Sequence, residues 1–209
     1  MNYYIDFDNT LYNTALLTDR MLNLIVNSIL EKHKDFLEEE LKKECKMMFN
    51  RENIYDIYKL INYFANKYNI DEINTKNKIN NLILNSGDLV YKDVFLFLSY
   101  LKNNHHKLYL LSYCDNLSYQ SLKIIGAKLD EFFDAIYITS IPKHLLDINY
   151  ANGIFIDDNP RDLLGLYKQN AKSVIRIRRN TNKYSKENLD INIEEYPDLE
   201  KLYVKIKEK

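Results

Sequence analysis

Five short runs of apolar residues stand out along the chain, each followed by polar or turn-forming residues. They lie at residues 3–7, 108–111, 135–138, 153–156 and 174–177. From the second run onward, sequence of helical periodicity separates each run from the next. Short, continuous apolar runs that alternate with helices are typical of buried strands in a parallel sheet. The pattern therefore predicts a layered α/β fold.

The stretch between the first two runs has a different pattern, because from about residue 14 to residue 86 the apolar residues recur at three- and four-residue spacing. These positions include Leu16, Leu17, Met21, Leu24, Ile25, Ile29, Ile54, Ile57, Leu60, Ile61 and Phe64. A segment of about seventy residues is too long for a simple crossover connection. We therefore predict a helical bundle at residues 13–87, inserted into a core formed by residues 1–12 and 88–209.

The composition is that of an ordinary globular protein, with 46% hydrophobic and 28% charged residues. The 29 Lys and Arg residues balance 30 Asp and Glu residues, which gives no electrostatic reason to expect nucleic acid or a membrane surface as a partner. Cys45 and Cys114 form no CxxC pair, so neither a disulfide framework nor a zinc site is expected. No apolar run approaches the ~20 residues of a membrane helix, and the N-terminus lacks the features of a signal peptide. We expect a cytoplasmic protein.

Two aspartates, Asp6 and Asp8, lie at the end of the first apolar run and are separated by one residue. Side chains two residues apart on a strand point the same way. Both carboxylates are therefore predicted to face the crevice at the carboxyl end of the sheet, where open α/β sheets bind ligands. Two converging carboxylates repel each other. A Mg²⁺ ion relieves that repulsion and commonly binds one or two carboxylates together with substrate phosphate.

Three other predicted strands also end next to residues that phosphoryl transfer uses. Ser112 follows the second run directly, Lys143 lies just beyond the third, and Asp157 and Asp158 follow the fourth. Catalytic residues of such sheets collect at the carboxyl ends of strands. A hydroxyl, a cation and a second acidic pair are thus expected beside Asp6.

For several single residues, a purely structural role remains an alternative to a functional one. The segment containing Asp157 and Asp158 would also suit a turn that begins a helix, and Lys143 would also suit a solvated surface. Arg176 and Arg179, near the last apolar run, suit either a phosphate-binding patch or an exposed sheet edge.

The order of these motifs resembles the haloacid-dehalogenase-like (HAD) superfamily over nearly the whole chain. The resemblance implies a doubly wound, Rossmann-like parallel sheet. A large subgroup of the superfamily carries a helical cap between its first and second motifs, and the predicted insertion at residues 13–87 falls in that interval.

The resemblance also implies catalytic roles. Asp6 attacks phosphorus and becomes an aspartyl-phosphate, while Asp8 protonates the leaving oxygen and then activates water. Lys143 neutralises the charge of the nucleophile and the phosphate. Splitting a slow hydrolysis into two covalent steps, with charge neutralised by a metal and a lysine, is an established solution. The residues assigned to substrate binding are Thr10, Ser112 and Tyr113.

A magnesium site follows from the same resemblance. Asp157 and Asp158 are expected to hold Mg²⁺ together with Asp6 and the carbonyl of Asp8, and Asp162 is expected to support that loop. In members that cleave carbon–halogen bonds no acid/base residue is needed where Asp8 stands, so the presence of Asp8 favours phosphate chemistry.

These expectations combine into a Mg²⁺-dependent phosphatase that hydrolyses a small phosphorylated metabolite. We expect a monomer or homodimer without nucleic-acid or membrane partners. Two alternatives remain open: a phosphomutase of the same fold, which passes the phosphoryl group to a sugar, and a catalytically weak binding or regulatory protein. The sequence does not identify the substrate.

Overall fold

The structure is a computed structural model that describes residues 1–51, 56–180 and 184–208. Contacts between Cα atoms divide the chain into two compact units. Unit 1 comprises Met1–Ala15 and Gly87–Lys209, and unit 2 comprises Leu16–Ser86. Ile54, which belongs to the predicted helical pattern, lies outside the described residues.

Unit 1 is built on a parallel β-sheet that has six strands within the described residues. The strands are β1 (Asn2–Ile5), β2 (Lys107–Tyr113), β3 (Ala135–Thr139), β4 (Gly153–Asp157), β5 (Ser173–Ile177) and β6 (Glu194–Tyr196). Their spatial order is β3-β2-β1-β4-β5-β6, and all five pairings are parallel. The chain starts at the centre, builds outward through β2 and β3, and then returns to place β4 beside β1. The predicted doubly wound sheet is confirmed, and its topological switch point lies between β1 and β4.

The α-helices of the described residues follow the apolar periodicity of the sequence. They are α1 (Thr14–Leu30), α2 (Glu38–Arg51), α3 (Ile57–Tyr68), α4 (Glu72–Leu84), α5 (Val94–Asn103), α6 (Leu117–Ala127), α7 (Pro160–Lys168) and α8 (Leu199–Lys207). Helices α1 to α4 account for the predicted helical insertion, and their buried residues include Leu17, Ile25, Ile61 and Phe64. None of the described helices is long and apolar enough to cross a membrane.

Local signals set the starts of α6 and α7, the two helices that border the candidate site. The side chain of Asn116 accepts a hydrogen bond from the backbone N–H of Tyr119, and that of Asn159 accepts one from Arg161. Pro160 occupies the first turn of α7, where its fixed φ suits a helix and its missing N–H is not needed. Each asparagine cap stabilises its helix by about 1 kcal/mol.

The central strands are buried on both faces, as expected for a parallel sheet covered on each side. In β1, Tyr3 and Ile5 are buried on one face and Tyr4 on the other. Tyr4 stacks on Tyr109 at a ring-centroid distance of 4.9 Å and on Phe155 at 4.8 Å. Such aromatic pairs add about 0.5–1.5 kcal/mol each beyond the area that they bury. This packing anchors the strand from which the candidate site projects.

Strand β1 ends earlier than predicted, at Ile5 instead of residue 7. The chain turns tightly beyond it: the backbone N–H groups of Leu11 and Tyr12 both donate to the carbonyl of Phe7. Asn9 within this turn has a φ of 59°, a left-handed conformation that asparagine tolerates better than most residues. The alternation of side chains that was predicted through Asp8 therefore stops at the end of the strand.

Strand β6 is not among the five strands that were predicted from the apolar runs. Its three residues, Glu-Glu-Tyr, do not form an apolar run. Ion pairs link β6 to β5 instead, since Glu195 pairs with Arg176 at 3.1 Å and with Arg178 at 3.3 Å. The exposed edge, one of the two alternatives left open for the arginines, does not apply to Arg176, which is fully buried and also donates to the carbonyls of Tyr184 and Glu187.

Arg179 ties the turn after β1 to the rest of unit 1. Its Nε and one terminal nitrogen donate to the carbonyl of Thr10 at 3.1 and 2.9 Å, and it pairs with Asp93 at 2.9 Å. Its guanidinium lies 3.7 Å from the centroid of the Tyr91 ring. Asp93 in turn accepts the N–H of Leu199 at 2.7 Å. The turn that follows the first strand is thereby fastened to the starts of α5 and α8.

Replacing Arg179 by methionine should lower the free energy of unfolding by about 3 kcal/mol, because it removes the charge partner of the largely buried Asp93 and both side-chain donors to the Thr10 carbonyl. Chemical denaturation followed by circular dichroism measures the change. Lys107→Met is the matched control, since the Lys107–Asp134 pair is solvent-exposed and should contribute nothing measurable. Equal effects of the two substitutions would contradict the role of Arg179.

Candidate active site

The structure brings the predicted residues of four strand ends to the switch point of the sheet. Asp6 directly follows β1, Ser112 lies near the end of β2, and Asp157 ends β4. Lys143 begins a short 3-10 turn, Lys143–Leu145, in the connection from β3 to β4. These side chains are buried, as is that of Asp158. The site is therefore assembled from segments that are far apart in sequence.

Lys143 lies between two carboxylates. Its Nζ donates to Oδ1 of Asp6 at 2.5 Å and to Oδ2 of Asp157 at 2.6 Å, and the residue is only 2% exposed. The surface interpretation of Lys143 is therefore wrong. Burial alone would lower the pKa of the Lys143 ammonium, but the charges of Asp157 and Asp6 outweigh it and hold that pKa well above its usual range. Lys143 is a fixed positive charge in this site.

The turn that carries Lys143 is held in place by its neighbours. The ring of His144 packs so closely on α7 that a Cβ atom at Gly165 would lie 2.3 Å from Nδ1 of His144. Only glycine leaves room for this contact. The hydroxyl of Tyr150 donates to the carbonyls of Lys143 and Leu146 at 2.9 and 2.7 Å. The same turn therefore places His144 against α7 and directs Lys143 toward Asp6.

Asp6, Asp157 and Asp158 form a buried acidic group in which each offers an oxygen atom within 4.8 Å of the others. Both oxygens of Asp157 are engaged, Oδ2 by Lys143 and Oδ1 by the N–H of Asn159 at 2.9 Å. Oδ2 of Asp6 is buried and, within the described residues, has no hydrogen-bond partner. Burial, reinforced by the neighbouring aspartates and opposed by Lys143, raises the pKa of Asp6 well above its usual range. A site of this kind favours a cation.

Asp162 stands behind this group, in the first turn of α7. Its Oδ2 accepts a hydrogen bond of 2.9 Å from the side chain of Asn159, which also caps the helix. Burial and the charge of Asp157 raise the pKa of Asp162. The turn that begins a helix, which was left open as an alternative for the segment containing Asp157 and Asp158, is therefore present as the start of α7. It occurs together with the acidic group of Asp6, Asp157 and Asp158.

Asp8 is held apart from that acidic group, contrary to the predicted convergence with Asp6. Its Oδ1 accepts hydrogen bonds from Nζ of Lys123 at 2.5 Å and from the hydroxyl of Thr14, and its Oδ2 accepts one from Gln120 at 2.8 Å. Burial alone would raise the pKa of Asp8, but the charge of Lys123 and these three hydrogen bonds outweigh it and lower that pKa. The early end of β1 explains the separation, because the turn sends Asp8 in its own direction.

Two residues of this arrangement, Gln120 and Lys123, were missed by the sequence analysis. Both lie on α6, with exposed fractions of 0% and 2%. Nε2 of Gln120 also donates to Oγ of Ser112 at 2.8 Å, so it bridges Ser112 and Asp8. A signal was present in the sequence, since the helical period places both polar residues on the same buried face of α6 as Ile124.

The two remaining predicted residues, Thr10 and Tyr113, lie in different surroundings. Thr10 is fully buried and its hydroxyl has no hydrogen-bond partner within the described part of the chain. Tyr113 is 42% exposed, and its hydroxyl donates to Asp115 at 3.2 Å. The structure places Thr10 inside the turn after β1 and the Tyr113 ring at the solvent side.

Negative charge exceeds positive charge at this end of the sheet. Two lysines, Lys123 and Lys143, face five carboxylates. The carboxylates are those of Asp6, Asp8, Asp157, Asp158 and Asp162. A divalent cation would reduce this excess, and carboxylate oxygens are the ligands that Mg²⁺ prefers.

Solved structures match nearly the whole chain. A HAD phosphatase from Thermococcus onnurineus is 18% identical, with a TM-score of 0.68 and an alignment that covers 98% of this chain and 97% of that chain. The HAD hydrolase YfnB from Bacillus subtilis, solved bound to magnesium, is 15% identical, with a TM-score of 0.64 and the same coverage of 98% and 97%. The present chain has the HAD fold.

The activity does not follow from that fold. L-2-haloacid dehalogenase from Xanthobacter autotrophicus is 14% identical, with a TM-score of 0.63 and coverage of 99% and 98% of the two chains. No protein-family model and no curated protein matches the sequence. Proteins with this fold include both phosphatases and dehalogenases, so the fold alone does not distinguish the two activities and the residues of the site must do so.

Magnesium should stabilise the protein if the acidic group holds it. At a free Mg²⁺ concentration of about 100 times Kd, binding to the folded state alone adds about 2.7 kcal/mol to the free energy of unfolding. Thermal unfolding across a Mg²⁺ titration measures this as a rise in Tm. The rise should disappear in Asp158→Asn and persist in Asp115→Asn, a control at an exposed aspartate. A rise of equal size in all three proteins would place the bound ion elsewhere.

Proposed function

We propose that this protein is a Mg²⁺-dependent phosphatase that hydrolyses small phosphomonoesters through an aspartyl-phosphate at Asp6. One observation carries the proposal: Lys143 fixes one oxygen of the buried Asp6 carboxylate, the other oxygen has no hydrogen-bond partner within the described residues, and the carboxylate lies beside those of Asp157 and Asp158. A nucleophile must be held in a fixed position, which Lys143 provides, while the second oxygen of Asp6 remains available to a cation.

The residues suited to hold the cation are Asp6 and Asp158. Asp157 is less suited, because both of its oxygens already accept hydrogen bonds. Oδ2 of Asp6, which is buried and has no hydrogen-bond partner in the described part of the chain, fits this assignment. When bound, Mg²⁺ supplies positive charge that offsets the charge of the carboxylates and of the transferring phosphoryl group. The carbonyl of Asp8 as a further ligand stays a prediction.

In the first step, a carboxylate oxygen of Asp6 attacks phosphorus. The bond between phosphorus and the leaving oxygen breaks, and that oxygen takes its electron pair and a proton from Asp8. Lys143 remains bonded to Asp6 and Asp157 and neutralises charge as the new bond forms. The products of this step are an alcohol and phospho-Asp6.

In the second step, water attacks phosphorus and gives a proton to Asp8. The bond between phosphorus and Asp6 breaks, and inorganic phosphate leaves. The lowered pKa of Asp8 keeps it ionised in the free protein, which suits a base. For the first step, the negative charge of a bound phosphate favours protonation of Asp8, with the proton coming from water or from the monoester itself.

Ser112 and the backbone around Tyr113 are proposed to bind the phosphate oxygens, and Thr10 to support the turn that carries Asp6. The buried position of Ser112, hydrogen-bonded to Gln120, supports this role. We propose a small phosphorylated metabolite as substrate. Dehalogenation is disfavoured because Asp8 stands where a proton donor and acceptor is required for phosphoester chemistry.

Release of phosphate from a panel of monoesters tests the proposal. We expect Mg²⁺-dependent turnover by the wild type, and a loss of at least ~10³-fold in Asp6→Asn, since the amide is no nucleophile. Asp130→Asn, at an exposed position beyond the end of α6, should retain wild-type kcat. Colorimetric detection of inorganic phosphate is sufficient.

Three results would contradict the proposed function. Turnover that survives Asp6→Asn would exclude the aspartyl-phosphate. Transfer of phosphate from a sugar bisphosphate to a sugar monophosphate, with little release to water, would favour the phosphomutase. Binding of monoesters without turnover would favour the regulatory protein.

A further inference from the structure

Asp8 lies in a cradle that is built largely by one helix. Lys123 and Gln120, one turn apart on α6, donate to its two different oxygens, and Thr14 donates to Oδ1. Gln120 uses its second amide hydrogen on Ser112 at 2.8 Å. The two hydrogens of the Gln120 side-chain amide are therefore donated to Asp8 and to Ser112.

We propose that Gln120 and Lys123 are positioning residues, which hold Asp8 in one conformation and couple it to Ser112. The inference rests on the proposed function, because it assigns to these residues the placement of the acid/base group relative to the bound phosphate. Neither residue is proposed to exchange a proton with substrate. They act through Asp8 and Ser112.

A purely structural role does not account for these two side chains. A glutamine and a lysine on the sheet-facing side of α6 are costly to bury, and apolar residues of similar size would avoid that cost. Moreover, Oε1 of Gln120 is buried without a hydrogen-bond partner in the described residues. A buried orphan acceptor destabilises the fold. The hydrogen bonds that the Gln120 amide donates to Asp8 and Ser112 therefore explain why a glutamine occupies this buried position.

The reason for holding Asp8 is electrostatic and geometric. Without the donors of Lys123, Gln120 and Thr14, the Asp8 carboxylate would be free to adopt other side-chain rotamers. In those rotamers it would not be held within reach of the leaving oxygen. A general acid must lie within hydrogen-bond distance of the atom that it protonates, and an error of about 1 Å costs about 100-fold in rate.

The test compares two substrates in Lys123→Met and Gln120→Leu, which remove the donors with little change of volume. An alkyl phosphate needs Asp8 as acid in the first step, whereas p-nitrophenyl phosphate has a leaving group that departs without help. For the alkyl phosphate we expect kcat to fall about 100-fold in both variants, with KM little changed in Lys123→Met, which leaves the hydrogen bond between Gln120 and Ser112 in place.

For p-nitrophenyl phosphate, the first step should stay fast and the hydrolysis of phospho-Asp6 should become slow. Rapid-mixing measurements should therefore show a burst of p-nitrophenol equal to the enzyme concentration in both variants. Lys123→Arg should recover part of the lost kcat because it restores the charge. Lys128→Met is the control, since Lys128 is an exposed lysine at the C-terminal end of the same helix.

The outcomes separate this inference from the proposed function. Wild-type kcat on the alkyl phosphate in both variants would overturn the positioning role alone. A parallel loss on both substrates without a burst, matched by loss of folded protein in circular dichroism, would also overturn it and leave a structural role. No phosphate release by the wild type from any monoester would overturn the proposed function and this inference together.

Discussion

The buried ammonium of Lys143, held between Asp6 and Asp157, is the interaction on which the candidate site depends. Each of these three charges would be expensive to bury alone, and the pairing makes their burial tolerable. It also joins the end of β1, the end of β4 and the connection between β3 and β4. The doubly wound sheet makes this possible, because its crossover places β4 beside β1. The close contact of His144 with Gly165 then fixes the turn that carries the lysine.

A second constraint separates two aspartates that are neighbours in sequence. Because β1 ends at Ile5 and the chain turns, Asp6 joins the acidic group while Asp8 is bound by α6. The pKa of Asp6 is raised and that of Asp8 is lowered. Carboxylates whose surroundings drive their pKa values apart are typical of sites in which the two perform different tasks. The proposed division into nucleophile and acid/base residue follows this division of surroundings.

Much of the architecture was readable from local patterns. Five strands, the helical insertion and the parallel α/β class follow from apolar runs and helical spacing, since burial on both faces demands continuous apolar strands. The doubly wound order was implied by the resemblance to the HAD superfamily. Because parallel strands place their carboxyl ends at one edge, the gathering of Asp6, Ser112, Lys143 and Asp157 was also predictable. Strand β6 was not, because charge pairing with Arg176 and Arg178 holds it in place of apolar residues.

The sequence by itself determined the fold class and the residue types at the strand ends, because both depend on short-range patterns and on the rule that parallel strands end together. Only the tertiary structure decided which donor meets which carboxylate. Gln120 and Lys123 reach Asp8 across more than one hundred residues of sequence, and no local spacing encodes that distance. Their contacts depend on where α6 lies against β1 and on a turn that ends the strand two residues early, and both follow from packing of the folded chain.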